Sequence, residues 1–145
     1  EWMRGIRRIV VAALLVALAI GIAVMGASEL GGEVVTLHTA SPDGEVTTRI
    51  WIVDDAGYAW LRAGVPENGW LLRIDANPDV VVERGGESLR FRAVPVRSDP
   101  AVRDRIHARM RQDYGLADRL VSLLRDASKS VPVRLDPIAE PVQPD

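Results

Sequence analysis

Residues Tyr58 to Glu83 read YAWLRAGVPENGWLLRIDANPDVVVE, and this stretch decides the fold. It begins and ends as a strand, over Tyr58–Ala63 and from Asp79 onward. Between the strands, a glycine-containing turn leads into one short helix from about Asn68 to Ala76, opened by Trp70. Pro78 stops that helix, because a proline biases the residue before it, Asn77, away from helical backbone. A compact β-α-β insert of this kind is unusual in a small all-β domain.

On the N-terminal side, Thr47–Val53 and Tyr58–Ala63 are expected to form a hairpin across Asp54-Asp55-Ala56-Gly57. That loop would pair Val53 with Tyr58, Trp51 with Trp60 and Arg49 with Arg62, all on one face. Ile50, Ile52, Ala59 and Leu61 make the opposite, core face. Val34–Thr39 supplies a first strand, followed by the turn Ser41-Pro42-Asp43-Gly44. On the C-terminal side, Asp79–Arg84 and Glu87–Val96 form a second hairpin around Gly85-Gly86, with Val80, Val82, Leu89 and Phe91 facing the core. Asp99 as N-cap and Pro100 at the first position open a helix striped by Val102, Ile106 and Met110. A further short helix over Leu116–Leu124 and a last strand over Ser130–Leu135 complete the domain. Six antiparallel strands in so short a chain bury both hairpins against each other best as a small barrel.

The chain has 145 residues, no cysteine and a net charge of -2. Disulfides, thiolate metal sites and a cysteine nucleophile are thereby excluded, and a nucleic-acid binder would carry a basic face instead. Ile9–Ala27 is free of charged and strongly polar residues. As a helix it would span about 28 Å, close to a bilayer core. Arg4, Arg7 and Arg8 precede it and Glu29 and Glu33 follow, which predicts a single-pass membrane anchor with a cytoplasmic N-terminus and an extracytoplasmic domain. A signal segment shares this layout, and Gly26-Ala27-Ser28 offers small residues for cleavage. The expected division is therefore an anchor over 1–28, a barrel over 29–137 and a proline-rich tail over 138–145.

Arg49 opposite Arg62 is the pair of most chemical interest, since like charges facing each other on a sheet repel unless something lies between them. The phosphate or carboxylate of a ligand would do this; so would exposure to water or nearby carboxylates. Trp51 and Trp60 read either as an apolar wall for a flat ring or as an aromatic pair covering a core or a dimer interface. Trp70 anchors the short helix, whose N-terminal amides near Gly64 and Gly69 suit an anion. Tyr114 is a candidate proton donor or a packing residue at the helix corner. His38 and His107 have no evident carboxylate partner, so no metal site is expected.

Three runs carry a resemblance: WLRAG at 60–64, GW followed by five residues and ANPDVVVE at 69–83, and SVPVRLDP at 130–137. Together and in this order they resemble the deazaflavin (F420)-dependent nitroreductase and quinone reductase family, within the flavin-binding split β-barrels. The likeness covers roughly residues 33–137. It implies a mainly β (α+β) fold, a six-stranded antiparallel split β-barrel with short inserted helices, here preceded by one transmembrane helix and often forming a homodimer. It also implies a pocket for F420 or FMN, with haem or another ligand as further possibilities, and hydride transfer to a quinone or nitro-type acceptor. In that family a basic loop after the first strand grips the cofactor phosphate. Here the loop is Ala40-Ser41-Pro42-Asp43-Gly44, with an aspartate and no base, so the phosphate would fall to Arg49, Arg62 and Arg73. Trp51, Trp60, Ala63, Gly64, Asn68, Gly69 and Trp70 would shape the pocket, and Tyr114 would donate the proton. The alternative is a non-catalytic split barrel that binds a ligand or another protein at the membrane surface.

Overall fold

The computed structural model describes residue 6 and residues 9–21, 32–124 and 126–139. Residues 9–21 form a helix, α1, whose aliphatic side chains, Ile9, Leu14 and Leu18 among them, are exposed. Among the described residues no helix is long and apolar enough to cross a membrane. Residues 22–27 of the expected span, and the tail from residue 140, lie outside the described residues.

The domain is a closed barrel of β1 (Glu33–Ser41), β2 (Gly44–Asp55), β3 (Tyr58–Ala63), β4 (Asp79–Arg84), β5 (Glu87–Pro95) and β6 (Val131–Pro137), ordered β1-β2-β3-β6-β5-β4. Every pairing is antiparallel. Strand alternation sends Leu37, Leu61, Val82, Val133 and Leu135 inward, where they are fully buried. Helix α2 (Gly69–Ala76) adds Trp70, Leu71 and Ile74 to this core. It ends as expected: Asn77 is extended, and its N–H still caps the Arg73 carbonyl.

Helix α3 (Pro100–Leu124) begins at Asp99, whose Oδ1 accepts from the Ala101 and Val102 N–H groups. It breaks at Gly115 (φ 50°), which separates the two helical pieces the sequence predicts. The stripe Val102, Ile106, Met110 continues one step to Tyr114 and packs on the outer face of β2 and β3. A second core results, built on Val53 and Trp60 with Trp51 at its margin.

Two expectations are corrected. β2 continues through Asp55, so the first hairpin turns on Ala56 and Gly57 alone, both at positive φ (51° and 80°). Such a two-residue turn matches the twist of the flanking strands. Val53 therefore pairs with Trp60, and Asp55 with Tyr58. Arg49 and Arg62 are not opposite each other. The shift is by two residues, so every side chain keeps its predicted face. Leu89 is also not a core residue: it lies near the β4–β5 turn and is 37% exposed, whereas Phe91 packs against the core as expected.

Polar staples cross the outer surface. Arg84 bonds Glu33 at 2.9 Å through Nε and Asp54 at 2.6 Å through Nη2, tying β4 to the start of β1 and the end of β2. The guanidinium holds the Asp54 carboxyl below its ordinary range. On β1, His38 Nδ1 meets Glu45 of β2 at 2.7 Å. Its Nε2 lies 3.0 Å from Glu83 of β4, a charge contact rather than a directed hydrogen bond. The Glu45 bond raises the His38 pKa above 6.5, against the opposing effect of desolvation. A raised folded pKa adds stability that is fully present below the unfolded value and is lost as pH rises through the folded one. His38→Gln should therefore lower the thermal midpoint at mildly acidic pH and have less effect at alkaline pH. Added salt should shrink that difference, because Glu45 and Glu83 are exposed.

Candidate functional site

β2 is paired with β1 from Gly44 to Ile52 but with β3 only from Val53 to Asp55. Beyond Val53 the neighbours part, because β3 pairs with β6 from Ala59 to Ala63 and the chain then leaves for α2. Among the described residues no strand pairs with the far side of β2 over 44–52.

A cavity of about 410 Å³ occupies the wedge. Thr48, Arg49, Ile50 and Trp51 of β2 line one side, and Arg62 and Gly64 the other. Asn68 and Trp70 close it at the start of α2, while Val34 and Met110 come from β1 and α3. Among the described residues the lining carries two arginines, beside apolar surface from the tryptophans, Val34 and Met110. Arg49 lies exposed at the mouth. Arg62 is half-buried and donates from Nη1 to His107 Nδ1 of α3 at 2.6 Å. This volume and mixture suit a small flat ligand with an anionic group.

Six of the predicted pocket residues meet here: Arg49, Trp51, Arg62, Gly64, Asn68 and Trp70. The other four lie elsewhere. Trp60 is buried under α3 and donates its indole N–H to the Asp55 carbonyl at 3.1 Å. Ala63 is enclosed in the barrel core. Gly69 is exposed at the first position of α2. Arg73 turns toward β1, where its Nε donates to the buried Thr39 hydroxyl at 2.8 Å, so it does not join the other two arginines. The sequence does not single out Val34, Thr48, Ile50 or Met110 for the pocket, nor His107 beside Arg62. Met110 belongs to the apolar stripe on α3, but nothing local to the chain announces that the stripe reaches a pocket.

Tyr114 is outside the residues that line the cavity. Its ring stacks on Trp51, with centroids 4.5 Å apart and planes 19° from parallel. Its hydroxyl accepts from the Ile52 N–H at 3.1 Å and lies against the carbonyls of Ile52, at 2.7 Å, and Glu33. Burial pushes its pKa up to about 12, although the backbone bonds oppose the rise. A hydroxyl held this way clasps the end of the β1–β2 ladder. The close approach of Gly32 to the same ring leaves no room for a Cβ.

No family model and no curated protein matches this chain. Solved structures do. A conserved hypothetical protein from Mycobacterium tuberculosis is 20% identical with a TM-score of 0.59, the match covering 81% of this chain and 80% of that one. The fold is a split β-barrel. A putative pyridoxamine 5′-phosphate oxidase from Listeria innocua shares it at 15% identity and a TM-score of 0.56, over 83% of this chain and 94% of its own. An F420-H2 dependent reductase shares it at 18% identity and a TM-score of 0.56, over 70% and 92%. In this split barrel, Tyr114→Phe removes the hydroxyl that satisfies the Ile52 amide. It should cost roughly 1–3 kcal/mol in chemical unfolding, and Gly32→Ala should destabilise by displacing the same ring. Trp51 emission should change in both variants.

Proposed function

We propose that the protein is a membrane-anchored oxidoreductase that holds a flavin-like cofactor, F420 or FMN, in the β2–β3 wedge and reduces a quinone or nitro-type acceptor. The observation that carries this reading is the wedge itself, which brings the Trp51 indole together with Arg49 and Arg62, beside Asn68 and Trp70 at the start of α2. The split-barrel neighbours, among them an F420-H2 dependent reductase and a putative pyridoxamine 5′-phosphate oxidase, support it. When bound, the cofactor supplies the hydride chemistry. The protein's own residues bind and orient: Trp51 and Met110 flank the ring, Asn68 and Thr48 offer hydrogen bonds, and Arg49 and Arg62 hold the anionic group. Arg73 is left out of that set, because its guanidinium serves Thr39. The anchor reading rests on the apolar run 9–27 and on the exposed aliphatic side chains of α1, and the arginines before that run orient the domain outward.

Titrating the tryptophan fluorescence of the full-length protein with F420, FMN and haem in separate experiments tests this. One of the first two should quench saturably through Trp51 and Trp70. Arg49→Ala and Arg62→Ala should each weaken that binding by at least about tenfold, the loss expected for one charge-assisted bond. Unchanged affinity in the folded double variant overturns the reading. Saturable binding by haem alone would favour the non-catalytic alternative.

A further inference from the structure

The sequence offers His107 no evident carboxylate partner. Among the described residues it bonds a guanidinium. The ring is half-buried on α3, three residues before the pocket-lining Met110, with Nδ1 2.6 Å from Arg62 Nη1. A guanidinium has only donors to offer, so the imidazole nitrogen in this bond is the acceptor, and the ring's proton sits on Nε2. A protonated imidazole has donors on both nitrogens. Proton uptake therefore ends the bond and leaves two cations in contact. Among the described residues, Arg62 on β3 is a charged group bonded to the ring across the helix–sheet contact. On α3 itself, Arg103 and Arg111 stand one turn to either side, with Asp104 beside Arg103 and bonded to it. Of the neighbouring segments, β6 presents Arg134 already bonded to Asp136, and Lys129 follows Ser128, whose carbonyl Arg103 holds.

We propose that His107 is the positioning residue for Arg62 and makes anion binding in the wedge proton-linked. Unprotonated, it holds the guanidinium at the pocket wall, aimed at the anionic group of the ligand. Once protonated, it releases Arg62, and affinity falls. This rests on the reading of the wedge as the site of an anionic ligand.

The test uses the full-length protein in detergent micelles, with FMN and F420 as probes, from about pH 8 to about pH 5.5, a span that brackets the ordinary imidazole range. His107→Gln keeps an acceptor, the side-chain amide oxygen, at every pH. The wild type should lose about tenfold more affinity on acidification than His107→Gln, whose residual slope belongs to the ligand phosphate. His107→Leu should bind weakly at both ends. Superimposable wild-type and His107→Gln profiles overturn the proposal.

Nitrogen NMR of the protein without ligand decides separately. The His107 ring should show a bare Nδ1 at alkaline pH, and the Arg62 side-chain signals should follow its titration in the wild type and stay fixed in His107→Gln. Arg62 signals that ignore that titration overturn the proposal as well. If neither probe binds, the cofactor reading fails on its own account, and the NMR result alone decides the role of His107.

Discussion

The departure of β3 from β2 after the Val53–Trp60 pair is the constraint on which the other features depend. A barrel closes only if β3 pairs with β6, and β6 with β5. β2, twelve residues long, stays with β1 well past the point where β3 turns away. Two consequences follow. The apolar outer face of the hairpin, Val53 and Trp60 above all, must be covered, and Ile106, Met110 and Tyr114 of α3 cover it. The edge of β2 that β3 leaves borders a cavity closed by the first turn of α2. The pocket and the second core are two sides of one departure.

Tyr114 joins those sides. Its ring braces Trp51, a pocket wall, and its hydroxyl takes the place of a ladder partner where β1 begins. The arginines divide their work in a similar way. Arg84 stitches three strands together, Arg73 supports the buried Thr39 hydroxyl, and Arg49 and Arg62 stand at the wedge. Residue type alone does not separate these roles, because each depends on which oxygen or nitrogen lies within about 3 Å of the guanidinium.

The strands, the short helix and its stop at Pro78 were legible because they depend on near neighbours: period-two alternation, turn chemistry and the restriction a proline places on the residue before it. The first hairpin shows the limit of that information. Asp54 and Asp55 suit a turn and are tolerated at a strand end, so the composition left two registers open. Both registers put Arg49, Trp51 and Arg62 on the same face, so these residues were placed at the site although their partners were wrong. Trp60, facing the same way, went to the second core because α3 lies over it. No local pattern records where a distant helix lands.

The sequence by itself determined the order of elements, the inward and outward faces of the strands and the concentration of arginine and tryptophan around the β2–β3–α2 corner. Each of these follows from residues close together in the chain. The tertiary structure alone decided that Tyr114 is a clasp, that Arg73 faces Thr39 and that His107 meets Arg62. The partners of Tyr114 lie 62 and 81 positions away, that of Arg73 34 and that of His107 45. Bonds over such separations exist only after the barrel has closed and α3 has docked, since closure alone brings their donors and acceptors within bonding distance.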